Sequence, residues 1–304
     1  HKDGKKMINK LDKFRRNFFI FLSITSLVIF FLNNINLDLK LQSYVLFFLV
    51  TLIGIPHGFF DFSVGKKLLM KFSELWLIYF IVLYVLISMI YFLIWIKFPG
   101  IALIFFLLIA SYHFGYEEYN YLNKSDHIVY DINMIIRGII IVFSPILFHY
   151  DQVSHLFSIL VGYDLSTFSF SYTQKALFII LSVFHILFGK NENAFGKVES
   201  LIYLTNFILL PPLISFILYF CFSHSIKHFL ESIYVSRNVP SNFSTKGFLF
   251  LIVISSLFFS TAFVMLMSNY LGESISKSII KFIFILLACL TLPHMIFNMI
   301  PSKR

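Results

Sequence analysis

The chain has 304 residues, 59% of them hydrophobic and 13% charged, with a mean hydropathy of +0.85 and a formal net charge of +9. Soluble domains carry roughly 25% charged residues, so an ordinary soluble globular domain is excluded and repeated membrane crossing is expected. The positive charge is no nucleic-acid signature, because the basic residues fall in predicted loops and one N-terminal cluster. Cys221 and Cys289 both fall in apolar runs, which argues against a disulfide framework or a cysteine-based zinc site.

The N-terminal segment, residues 1–16, carries Lys2, Lys5, Lys6, Lys10, Lys13, Arg15 and Arg16 just before the first apolar run. Such a cluster reads as a cytoplasmic anchor. The first span, 17–33, has no convincing small-residue cleavage site and is read as retained.

The second span, 43–61, ends in Gly54-Ile55-Pro56-His57-Gly58-Phe59-Phe60-Asp61. Gly and Pro there loosen the helix around His57, and irregular backbone at membrane depth is tolerated only where it is buried or lines a cavity. Asp61 lies four residues on and can share the His57 face, where a carboxylate could accept from a ligand imidazole. A plain kink with Asp61 in solvent is the alternative.

Spans 75–97 and 100–120 are joined by the tight turn Lys97-Phe98-Pro99-Gly100. The second of them holds Ser111-Tyr112-His113-Phe114-Gly115-Tyr116-Glu117-Glu118. Taken alone, His113 could equally be a hydrogen-bonded core histidine. A span at 131–149 follows. Residues 151–173 are polar and Ser/Thr-rich, with an apolar patch near 156–161, and read as a surface loop with an interfacial helix. A span at 174–189 comes next.

Residues 198–210 are short for a crossing and end at Pro211-Pro212, which breaks one helix or opens another. The span at 212–234 carries His224 and His228, which at i,i+4 project from one helix face. That is the geometry by which a helix gives two ligands to one ion, although two unrelated polar residues would look the same. Spans at 247–270 and 276–299 complete the chain, the last with His294 beside Pro293.

The positive-inside rule decides between topologies. If 198–210 crosses or re-enters separately, the inner segments hold 17 Lys/Arg and the outer loops only Lys40, Lys97 and Lys277. The same arrangement brings His57, His113, His224, His228 and His294 to one depth layer and puts both termini in the cytoplasm. The 41 Phe residues either wall an apolar space or face lipid. No internal repeat is visible, which gives little support to an inverted-repeat transporter.

An ionisable side chain at membrane depth is costly and usually has a partner or a function. Five histidines so placed read as a buried metal site. Imidazole ligation suits iron, zinc or copper rather than calcium or magnesium. A haem would need only two of them and would leave the Gly/Pro breaks without a reason.

At these residues the sequence is similar to the Brp/Blh family, bacterial and archaeal integral-membrane β-carotene 15,15'-dioxygenases that supply retinal to rhodopsins. The resemblance rests on Gly54–Asp61, Tyr112–Gly115, His224–His228 and Pro293–Met295, in the family's order across most of the chain. It implies cleavage of the central double bond of β-carotene by O2 into two all-trans-retinals, with non-haem Fe(II). It implies His57, His113, His224 and His228 as iron ligands, with Asp61 and His294 as candidates that support them from behind. It also implies a multi-pass protein of the cell inner membrane with a functional link to a retinal-binding rhodopsin. Neither a flavin nor a nucleic-acid partner is expected.

The expectation is an all-α polytopic transmembrane bundle of about eight to ten membrane segments, forming a single catalytic domain over residues 1–304 with a cytoplasmic N-terminus. Two other readings use the same histidines. A membrane desaturase or hydroxylase needs several histidine boxes, and only His224/His228 qualifies here. A metal or proton transporter would use the histidines as a relay, which the Pro/Gly breaks beside His57 and His294 fit in part.

Overall fold

A computed structural model describes residues 2–33, 37–123, 132–165, 168–189, 194–230 and 245–299. All regular structure among them is helical. In chain order, α1 is Lys2–Asn33 and α2 is Leu39–Leu49. The latter runs through a wide π turn, Val50–Gly54, and a 3-10 turn, Ile55–Phe60, into α3, Asp61–Leu69. Helix α4 is Trp76–Lys97, α5 is Pro99–Asn123, α6 is Ile132–Phe148, α7 is Tyr150–Val161, α8 is Tyr172–Phe188 and α9 is Ala194–Leu209. Helix α10, Pro212–Tyr219, passes through a second π turn, Phe220–Ser225, and stays helical to Leu230. Helices α11, Thr245–Leu271, and α12, Ile275–Met299, close the bundle.

Six of the described helices are long and apolar enough to cross a bilayer: 10–32, 76–97, 99–118, 212–230, 250–271 and 275–298. The number is seven if α6 and α7, bent by 102° at His149, count as one broken span. The protein is an all-α multi-pass membrane bundle. Helices α4 and α11 are its periphery, apolar and mostly exposed to what would be lipid. The core is built on α10 and α12, where Leu213, Ile217, Ile280, Ile283 and Ala288 are buried.

The chain reverses at Pro211. Glu199 meets Ser223, and the rings of Phe207 and Tyr219 lie 5.8 Å apart, so α9 and α10 are an antiparallel hairpin. Residues 198–210 are thus a rod of their own. Pro212 opens α10 at a position where its missing N–H costs nothing. Helix α1 runs parallel to α9: Arg15 pairs with Glu199, Phe19 packs on Tyr203 at 5.3 Å, and Asn206 Nδ2 donates to Ser23 at 2.9 Å. His224 and His228 therefore lie toward the end of the bundle that carries Arg15.

Two features differ from the sequence reading. Residues 150–161 form a full helix, and its apolar side (Val153, Leu156, Leu160) is buried in the core rather than resting at a surface. The basic N-terminal segment is helical and continuous with the first span, and Arg15 is buried and ion-paired. An amphipathic helix looks the same in sequence whether its apolar face meets lipid headgroups or a helix bundle. A basic residue likewise looks the same whether its partner is water or a carboxylate far along the chain.

Candidate active site

Backbone close approach places the first histidine. Helices α5 and α6 cross antiparallel with Gly115 against Met134 and Gly138 against Ser111. A Cβ at either glycine would collide with the carbonyl oxygen of the other helix. Small residues at a membrane helix interface permit this contact, and His113, buried between Ser111 and Gly115, is held rigidly by it.

The second pair comes from the π turn at Phe220–Ser225. A wide turn of this kind is frequent at functional sites. Here it packs against the other wide turn, since a Cβ on Gly54 would meet the Phe220 ring at 2.6 Å. His224 lies inside the turn and His228 follows it, both buried. His294 comes from α12, directly after Pro293 within the helix.

The structure brings His113, His224, His228 and His294 together. Ring centroids are 5.1 Å apart for His113 and His224, 5.0 Å for His113 and His294, and 5.0 Å for His228 and His294. His57 lies on the adjoining 3-10 turn, but its side chain is outside the described residues. Asp61 is buried, and its carboxylate meets the Nδ1 of His294 at 2.7 and 2.8 Å. Its other partners are the Tyr84 hydroxyl, donating at 2.9 Å, and the Asn298 amide at 3.3 Å. The sequence places Asp61 on the His57 face one turn away; among the described side chains its imidazole partner is His294, 233 residues on.

These donors suit a metal ion. Among the described residues, two sets have ligand atoms all within 4.8 Å of one another: Asp61, His228 and His294, and His113, Glu117 and His294. The ring spacings agree. A metal–nitrogen bond of about 2.1 Å, with the ring centre about 1.1 Å further, separates the centroids of two rings sharing an ion by roughly 4.5–5.2 Å. The three observed spacings fall in that range. The donor set, imidazoles with one or two carboxylates, is that of iron or zinc rather than of calcium or magnesium.

An apolar cavity of about 490 Å³ adjoins the cluster. It is lined by Phe62, Phe80 and Tyr84 on α3 and α4, by Asp61, His113 and His294, and by Leu156, Leu160 and Leu213 on α7 and α10. Of the clustered histidines, His113 and His294 face this space. Phe114, Phe216, Phe220 and Phe284 also line it, whereas Phe21, Phe258 and Phe259 are exposed on the lipid side. Phenylalanine here serves both of the roles the composition left open.

A buried ionic layer lies behind the cluster and was not foreseen from sequence. Lys227, between the two histidines of α10, holds Glu118 at 2.8 and 3.0 Å and Tyr203 at 2.7 Å. Glu199 accepts from Arg15 at 2.6 Å, Tyr203 at 2.7 Å and Ser223 at 3.0 Å. Charges at membrane depth need such partners. The signal was in the sequence, as a lysine inside His224–His228 and a Glu117-Glu118 pair after His113, but nothing in the sequence pairs them.

The model of the family described as beta-carotene 15,15'-dioxygenase matches residues 48–299, a stretch that contains every cluster residue. A curated relative, the beta-carotene 15,15'-dioxygenase of uncultured marine bacterium 66A03, is 28% identical over 258 residues, covering 82% of this chain and 90% of that protein. No solved structure matches the chain. With most of its length matched, including both wide turns and all the clustered histidines, this chain belongs to the beta-carotene 15,15'-dioxygenase family.

Proposed function

We propose that the protein cleaves β-carotene at its central 15,15' double bond with O2, giving two all-trans-retinals, and that it does so with a non-haem Fe(II). The observation that carries this reading is the buried histidine cluster, two of whose rings, His113 and His294, line an apolar cavity inside a membrane bundle. The reaction balances without a reductant: the carbon–carbon double bond breaks, and each carbon takes one oxygen atom of O2. No flavin or electron-donor site is then needed.

His57, His113, His224 and His228 are the residues proposed to hold the iron, with His294 and Glu117 within reach of the same centre. The iron would supply the activation of O2, which a closed-shell polyene does not react with on its own. The remaining work falls to the chain. Cavities that bind small molecules are typically 300–1,000 Å³ and mostly apolar, and a 490 Å³ space lined mainly by apolar side chains suits a hydrocarbon. From Phe284 to His294 the α12 wall is about 15 Å long at 1.5 Å per residue. Phe, Leu and Ile side chains would position the polyene and keep water from the reacting carbons.

The substrate dissolves in lipid, so the lining residues Ile81 and Val85, 50% and 53% exposed on α4, offer a lateral way in. The site belongs in a multi-pass protein of the inner membrane with its N-terminus in the cytoplasm, able to deliver retinal to a rhodopsin.

The test is expression in a β-carotene-producing host. Loss of orange colour with two retinals formed per carotene is expected, and copurification of about one iron per chain. Unchanged carotene in cells that make the protein, with no retinal by chromatography, would end this reading.

A further inference from the structure

We propose that His294 is itself a metal ligand of the centre, and that Asp61 is the positioning residue that presents it. This rests on the metal-centre reading above and goes beyond it, because it takes His294 and Asp61 out of a merely supporting role and gives each a separate task.

The geometry forces the tautomer. Both oxygens of the Asp61 carboxylate lie within 2.8 Å of His294 Nδ1. An ionised carboxylate only accepts, so Nδ1 carries the proton and the lone pair of the neutral ring is on Nε2. Asp61 is fixed in turn by the Tyr84 hydroxyl, which also reaches the Leu290 carbonyl on α12, and by Asn298 one turn beyond His294. Ring rotation is thereby blocked from one side. A carboxylate behind an imidazole with a metal before it is the usual way a protein orients a histidine ligand and raises its basicity.

Position supports the assignment. The His294 ring lies 5.0 Å from both His113 and His228, and it belongs to both of the donor sets that the described residues form. His113 and His224 are next to each other, and His294 links that pair to His228. The His294 ring thus meets Asp61 on one side while it lies 5.0 Å from the His113 ring and 5.0 Å from the His228 ring.

The experiment uses cobalt(II), whose spectrum reports its ligands, on the full chain purified in detergent. His294→Cys loaded with cobalt should show a sulfur-to-cobalt charge-transfer band in the near ultraviolet that the wild type lacks. Cobalt bound at the wild-type level without that band would overturn the proposal. Asp61→Asn keeps the shape but gives Nδ1 a different partner. It should lower metal affinity roughly 10–100-fold and shift the visible cobalt bands while the chain stays monodisperse.

Should His294→Cys fail to accumulate, Asp61→Asn decides alone: wild-type affinity with an unchanged cobalt spectrum overturns the proposal. Failure of the underlying reading looks different, since the wild type itself would then bind neither iron nor cobalt.

Discussion

Replacing Glu199 by Ala removes the anion at the centre of the buried ionic layer. The side chain accepts two bonds from Arg15, at 2.6 and 3.2 Å, and one each from Tyr203 and Ser223, with Lys227 at 3.4 Å. Breaking a buried ion pair by deleting one partner costs about 3–5 kcal/mol, because the remaining charge stays desolvated. Lys227 keeps Glu118 at 2.8 Å and Arg15 keeps Asp12 at 2.9 Å, so neither cation is left wholly without a partner and the lower figure, about 3 kcal/mol, is expected. One kcal/mol moves Tm by roughly 2–4 °C in chains of 150–250 residues, so a drop of roughly 6 °C is expected in this longer one. Thermal unfolding in detergent reads it. Arg15→Met combined with Glu199→Leu should recover most of the loss, since neither charge is then stranded. An E199A variant with wild-type Tm, or a double variant as unstable as the two single losses added, would refute the view that this pair docks α1 onto α9.

Three further outcomes are expected. Ile81→Trp or Val85→Trp narrows the cavity mouth on α4; kcat/KM for β-carotene should fall several-fold with iron content unchanged, and equal turnover of β-carotene would place the entrance elsewhere. Gly138→Leu forces a side chain into the Ser111 carbonyl on α5 and should lose more than about 3 kcal/mol, read as failure to purify a monodisperse protein, whereas normal yield would show that α5 and α6 can separate. A reporter fused after Arg304 should read cytoplasmic, as the charge bias and a separate crossing by residues 198–210 together require; a periplasmic signal would contradict that crossing.

The parts of the site legible in the sequence were those whose signal is local. Histidines in apolar runs stand out because ionisable groups at membrane depth are rare. Gly54 and Pro56 announce irregular backbone because their own chemistry breaks a helix, and Pro211-Pro212 announces the hairpin for the same reason. What could not be read is pairing across long separations. Asp61 and His294 are 233 residues apart, and Arg15 and Glu199 are 184 apart. Four residues from His57, Asp61 has an obvious local partner, so local reasoning assigned it there; the fold of α12 against α3 gives it another. Helix α7 was misplaced because amphipathicity reports that one face is apolar but not what covers it.

The two buried polar layers are joined by one piece of backbone. In the π turn of α10, Ser223 faces Glu199 and Tyr203 while the next residue, His224, lies 5.1 Å from His113. Two residues later the helix resumes, and Lys227 and His228 repeat the arrangement, one toward Glu118 and the other toward His294. Consecutive residues on a helix point about 100° apart, so a single helix can serve two neighbouring layers at once, one ionic and one imidazole. The ionic layer fixes the rotation of α10 about its axis, because turning it would strand Lys227 in an apolar interior. That rotation in turn fixes where His224 and His228 point. Holding four helices in register to within a fraction of an ångström, as the proposed metal centre would demand, is a use for buried charges whose contribution to stability alone would be small or negative.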